Sequence, residues 1–185
     1  ITADRALEIE PPLKDTRSTL EGALYFERDE VGDSNKFGQG LAAACAAKGV
    51  QLRFGEKIER IETSGGKVTG VVTNKGKIAA DTVVVALGSF TAPMLAGNGI
   101  KVPIYPVKGV SITFKRGGWN SAPTVPIIDD SKLFGFVAIG DRMRVSGSAE
   151  ITGYDTTPAM TRAQAIIDNA SFTFPELKQH LDLKQ

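Results

Sequence analysis

The sequence predicts a mixed α/β (α+β) protein: a helix-and-strand region carrying an antiparallel β-meander, then a mixed, mostly antiparallel sheet with flanking helices. Three observations predict it. Phe37, Leu41 and Cys45 recur at four-residue spacing in "SNKFGQGLAAACAAKG", the apolar stripe of a helix. Three short segments between residues 57 and 87 are separated by "GG" and "NKG", the tight turns of antiparallel hairpins. From residue 102 onward, β-branched and aromatic segments alternate with Gly, Asn and Asp turns and end on a helical stretch.

Taken in order, "TADRALEIEP" reads as a short helix closed by Pro11 and Pro12. "GALYFERD" alternates, carries aromatics and reads as a strand. The helix over 34–48 is capped by Asp33 or Ser34 and ended by Gly49, and "VQLRFG" follows as a strand. "KIERIETS", "KVTGVVT" and "KIAADTVVVAL" form the meander. The last of these changes character: "TVVVAL" is apolar on both faces, so it should be buried on both sides, as inside a layered sheet, before an abrupt "GS" corner. "SFTAPMLA" reads as a short helix capped by Ser89. The second sheet draws on "VPIYPVKGVSITFK", "TVPIID", "FGFVAI" and "RMRVSGSAEI", and "TRAQAIIDNASFTF" is the final helix, ended near Phe174 and Pro175.

The chain has 185 residues, 42% hydrophobic and 23% charged, with net charge +1, ordinary values for a soluble globular protein. Basic residues are scattered, so no nucleic-acid partner is implied. No apolar run reaches the roughly 18 residues that span a bilayer. "ITADRALEIEPPL" lacks the basic and apolar regions of a signal peptide. A cytoplasmic location is expected, with at most a peripheral association on the cytoplasmic face of the inner membrane. The first residue is not Met, which suggests a processed chain or a piece of a longer one. Cys45 is expected to be a small buried residue, and one Cys with one His, His180, leaves no zinc-type ligand set.

Four stretches are candidates for chemistry. "GQGLAA" over 38–43 has the spacing of a dinucleotide turn, but a helix start precedes it where a strand is required. The acidic residues Asp29, Glu30 and Asp33 fit no metal cage and suit a helix N-terminus. "YPVKG" over 105–109 sets Pro106 and Gly109 in a strand, the mark of an edge or bulge where a planar ligand could pass Lys108. "RVSGSAEITGY" over 144–154 combines small strand residues, which leave room, with Arg and Tyr, which suit a carboxylate.

Five segments in this order resemble one family: "EPPL", "YFERDEVGDSNKFGQGLAAACAAKGVQLRFGEKIERI", "IAADTVVVALGSFTAPML", "VPIYPVKGVSITF" and "RMRVSGSAEI". They resemble the middle of the FAD-dependent D-amino-acid dehydrogenase and oxidase family, with its glycine and sarcosine oxidase relatives, and are most similar to the bacterial D-amino-acid dehydrogenase small subunits. The resemblance implies a lead-in over 1–32, a partial FAD-binding α/β region over 33–100 and a substrate-binding region over 101–185. It implies FAD as cofactor, touched at Ile58, Ala86, Leu87, Gly88, Ser89, Lys108 and Gly109. Leu87 stands where a small hydroxyl residue is usual. The substrate, a D-amino acid or related small amine, is implied to lie near Tyr105, Lys108, Ser148, Glu150 and Tyr154. No side chain is assigned as a catalytic acid or base.

The family's N-terminal GxGxxG unit and its C-terminal G-x-R-P-type segment are not matched. The expectation is therefore an internal portion of a flavoenzyme, partnered by those segments, self-associating through exposed apolar surface, binding FAD weakly and inactive by itself. The alternative is a non-catalytic binding or assembly module.

Overall fold

The computed structural model describes residues 1–181; the last four residues of "LDLKQ" lie outside it. The chain divides into two compact units. One comprises Ile1–Phe37, Lys108–Ile151 and the described residues from Asp155 on; the other comprises Gly38–Val107 and Thr152–Tyr154.

The first unit is built on a four-stranded antiparallel sheet. Its strands are β4 (Lys108–Lys115), β5 (Ile127–Asp129), β6 (Phe134–Ile139) and β7 (Arg142–Glu150), in the order β4-β7-β6-β5. Alternation places Phe114, Phe134, Phe136, Met143 and Val145 on one face. Helix α4 (Met160–Thr173) lays Ile166 and Ala170 against that face, and Trp119, Phe174 and Leu177 close the core. Each fully buried large side chain contributes about 1.5–3 kcal/mol. A single-turn helix, α5 (Leu177–His180), was not foreseen from sequence; its His180 ring stacks on Trp119 at 5.1 Å.

Helix α1 (Ala3–Ile9) is capped by Thr2, whose hydroxyl accepts from the Arg5 amide. The two prolines after it end the α-helix as expected but also start a 3-10 helix, Pro11–Thr16, because a proline's fixed φ suits a first helical turn. Between the two helices sits Glu10, 2% exposed. Its Oε2 accepts from the amides of Thr124 and Val125, both at 2.8 Å, and from the Thr124 hydroxyl at 3.1 Å.

The second unit carries the expected meander, β1 (Ile58–Ser64), β2 (Lys67–Thr73) and β3 (Gly76–Ala79), paired in that order and all antiparallel. Helix α3 (Thr91–Ala96) follows a 3-10 turn, Gly88–Phe90, and the turn after it returns to β1 through Asn98, whose side-chain amide donates to the Ile61 carbonyl. Helix α2 (Ser34–Ala47) has the expected extent, and Asp33 is its cap, accepting from the amides of Asn35 and Lys36. Those bonds, the Lys36 amide foremost, hold the Asp33 carboxyl below the usual range. "GQGLAA" lies inside α2, so it forms no strand-to-helix turn.

Several expectations fail. "GALYFERD" makes only one bridge, Gly22 to Thr2, and "VQLRFG" makes no ladder. "TVVVAL" is not a strand buried on two sides: Val83 and Val85 are half-buried and Val84 is 86% exposed. The reason is shared. Apolar character sets what a segment could bury, but a ladder needs neighbours, and no described strand flanks these segments. The second sheet starts at Lys108, not Val102. Ser89 lies within the 3-10 turn and caps nothing; Phe90 precedes α3 with no side-chain cap. Cys45 is half-buried rather than buried.

Candidate functional site

In the first unit, the antiparallel register of β4 and β7 places Lys108 opposite Glu150 and Gly109 opposite Ala149. The next rung pairs Val110 with Gly147, so Ser148 is an extra residue, a β-bulge. Its φ is 60°, in the left-handed region that a non-glycine residue seldom enters. Lys108 Nζ lies 3.1 Å from Glu150 Oε2 and donates to the Thr157 carbonyl at 3.2 Å. Arg162, on the first turn of α4, donates from Nε to Glu150 Oε1 at 3.2 Å. Hydrogen bonds from Lys108 first and Arg162 second hold the Glu150 carboxyl below its ordinary range. Two of the expected substrate residues, Lys108 and Glu150, are thus spent on each other.

Two surfaces flank this cluster. On the α4 side, a groove of about 550 Å³ runs between β4 and the start of α4, lined by Lys108, Val110, Ile112, Thr157, Met160 and Gln164. On the opposite face, next to the bulge, Gly109 pairs with Ala149 and Ser111 with Ser146, all small and exposed; further along, Arg144 donates to the Thr113 hydroxyl at 3.0 Å. Small residues in adjacent strands leave room for a flat group on that face.

In the second unit, Ile58 and Leu87 line one hollow of about 500 Å³ together with Lys57, Phe90, Pro93 and Met94. Beside it, Gly88 has φ 55° and nothing lies within 4 Å of where its Cβ would be, so the backbone of the corner can be approached closely. Ala86 is exposed and Ser89 half-buried. The Ser89 carbonyl accepts from the Tyr154 hydroxyl at 2.8 Å, and the Tyr154 ring stacks on Phe90 at 5.3 Å. Tyr105 is 61% exposed, and its hydroxyl would lie 4.0 Å from a Cβ at Gly153. Tyr154 therefore braces the corner with its polar tip.

The family model described as FAD dependent oxidoreductase matches residues 1–184. The chain belongs to this family. It is 40% identical over 183 residues to a D-amino acid dehydrogenase of Dechloromonas aromatica, covering 96% of this chain and 44% of that protein. It is 40% identical over 166 residues to a D-amino acid dehydrogenase of Cereibacter sphaeroides, covering 90% of this chain and 38% of that one. The chain thus spans about two-fifths of the length of these relatives. Among solved structures, L-proline dehydrogenase from P. horikoshii superposes with TM-score 0.87 at 22% identity, covering 97% of this chain and 48% of its own. Glycine oxidase from Geobacillus kaustophilus superposes with TM-score 0.81 at 23% identity, covering 97% of this chain and 47% of its own. The mixed fold with antiparallel sheets is the fold of these neighbours.

The residues of the second unit fit a flat part of the family's cofactor. Ile58, Leu87, Pro93 and Met94 give the hollow an apolar wall, Phe90 an aromatic ring, and Glu56, Lys57 and Glu59 line it as well, while the Gly88 backbone beside it is open; a ring can be held there by packing and main-chain contacts. Sequence reasoning missed Phe90 and Arg162. The signal for Phe90 was an aromatic directly after the Gly-Ser corner. Arg162 left no comparable signal, because its partner lies on another element. Among the described residues, no group of three or more His, Cys, Asp or Glu side chains could hold a metal ion.

Proposed function

We propose that this chain supplies the substrate-covering sheet and part of the cofactor cradle of an FAD-dependent enzyme that oxidises D-amino acids or related small amines. The observation that carries the reading is 40% identity to a D-amino acid dehydrogenase over nearly the whole chain. The meeting of Ile58 and Leu87 in one hollow with Phe90, Pro93 and Met94 supports it. In this reading 33–100 is the cofactor-side region, 101–185 the substrate-side region and 1–32 a lead-in. Bound flavin would supply the acceptor for hydride from the substrate Cα–H, and the resulting imino acid would hydrolyse to a 2-oxo acid and ammonia. Ile58, Leu87, Gly88 and Ser89 hold its flat portion by packing and main-chain contacts, with Ala86 beside them. Gly109 keeps the sheet face low enough for a ring to pass.

Tyr105, Ser148 and Tyr154 are the substrate-side residues of this reading, together with Lys108 and Glu150, which already pair with each other. Of these, Tyr105 and Ser148 have the hydroxyls to hold the carboxylate, because the Tyr154 hydroxyl donates to the Ser89 carbonyl. The 185-residue chain alone is expected to bind FAD weakly, to show no turnover, and to self-associate through exposed apolar side chains. No described helix is long and apolar enough to cross a membrane; a cytoplasmic location, at most peripheral on the inner membrane, belongs to the same reading.

A chimera tests this. The matching 44% of the Dechloromonas aromatica protein is replaced by this chain, and dye reduction is followed with D- and L-alanine. Flavin-loaded chimera that reduces the dye with D-alanine and not L-alanine is the expected result. Flavin-loaded chimera that is inert, or that prefers L-alanine, overturns the reading.

A further inference from the structure

We propose that Arg162 is a positioning residue for the substrate side of this site: with Glu150 and Lys108 it clamps the end of β7 to the start of β4, and the clamp keeps Ser148 in its left-handed bulge. The inference rests on the reading of Ser148 as a substrate-side residue.

Beyond the bulge the β4–β7 ladder has only two rungs, Gly109 with Ala149 and Lys108 with Glu150. The first brings almost no side chain, so the ladder's end depends on the second. Lys108 and Glu150 side chains are 19% and 17% exposed, a shielded pair that water screens less than a surface one. Both oxygens of Glu150 are engaged, Oε2 by Lys108 and Oε1 by Arg162. Arg162 ties the strand end to the first turn of α4, and the Thr157 carbonyl holds the Lys108 ammonium from the loop leading into that helix. A bulged serine at φ 60° is strained, and such strain persists only where the surroundings over-determine it. Removing the clamp frees the two terminal rungs to fray and lets Ser148 return to extended backbone. The charged groups facing the cluster are Lys108 from β4, Arg162 from α4 and Asp155 from the connecting loop, on whose carboxyl the Lys108 charge acts. With Glu150 held below its ordinary range, the clamp is intact above that range and is lost as pH falls through the lowered value.

The isotope-labelled 185-residue chain tests this by NMR, because the Ser148 Cα shift distinguishes left-handed from extended backbone. The expected result is a left-handed shift at neutral pH in the wild type and in R162K, lost in E150Q and R162Q, with Phe136 and Leu177 core signals unchanged. A Ser148 shift that stays left-handed in both E150Q and R162Q overturns the proposal. If either variant loses its core signals, acid titration of the wild type decides: the shift must relax below the ordinary glutamate range while the core signals persist, and a shift that ignores pH overturns the clamp. In the chimera, R162Q is expected to raise KM for D-alanine several-fold at unchanged flavin content, with rescue by R162K. An unchanged KM overturns the substrate-side role. An inert parent chimera overturns the proposed function instead, and the NMR result on the clamp then stands separately.

Discussion

Glu10 shows how one residue can tie distant stretches of chain. A glutamate between a helix and two prolines looks like a surface residue, yet it is 2% exposed and accepts three hydrogen bonds from Thr124 and Val125. Glu10→Ala leaves two inward amides without their acceptor, each worth about 1–3 kcal/mol when stranded. A drop of that order in urea-unfolding free energy is expected, with Glu10→Gln milder because its amide oxygen still accepts. Equal stability of wild type and Glu10→Ala would show that the amides find water instead. Nothing local marks this residue: its partners lie 114 and 115 positions away, and periodicity records only neighbours. Ser148 hid for a different reason. Serine is not a residue that announces a left-handed backbone, as glycine does.

Elements were legible where their partners are close in sequence. The meander is set by "GG" and "NKG", and the structure forms those hairpins. Within it, Gly70 has φ 148°, and a Cβ there would sit 2.1 Å from the Ile78 carbonyl oxygen. Gly70→Ala must push β3 off β2; a loss of about 1–3 kcal/mol is expected, read as a lower melting temperature with faster amide exchange in β3. Unaltered exchange there would count against the close approach. Elements whose partners are distant or not among the described residues were misread. "TVVVAL" has the composition of a buried strand, but burial is a property of what lies against a segment. The same limit applies to the candidate site. "YPVKG" and "RVSGSAEITGY" were picked separately; only the β4–β7 register brings Lys108 and Glu150 together, and only the packing of α4 adds Arg162.

At the scale of the whole molecule, two properties follow from many side chains at once. Phe37, Leu41, Phe54 and Val84 are 71%, 52%, 77% and 86% exposed, more apolar surface than a monomer keeps in water without consequence. Concentration-dependent self-association is expected in light scattering; a monodisperse monomer at high concentration would contradict it. Glu62, Asp129, Glu150, Asp168 and Glu176 all have carboxyls held below their ordinary range by hydrogen bonds, joined by neighbouring cations at all but Asp129. A depressed folded-state value means stability present above the unfolded value and lost as pH falls through the folded one. Unfolding free energy should therefore be flat near neutrality and decline below the carboxylate range, which urea titrations across pH can check.

The amino-acid sequence by itself determined the α2, β1–β3 and α4 elements, the alternation that splits β4 and β7 into a core face and an open face, and the family resemblance. These depend on residue type and short spacing, which a linear string carries in full. Only the tertiary structure decided that Val84 is exposed, that Lys108 and Glu150 neutralise each other, that Tyr154 braces the Ser89 corner, and that Ser148 stands in a strained bulge. Each of these is a relation between groups far apart along the chain, set by strand register and helix packing.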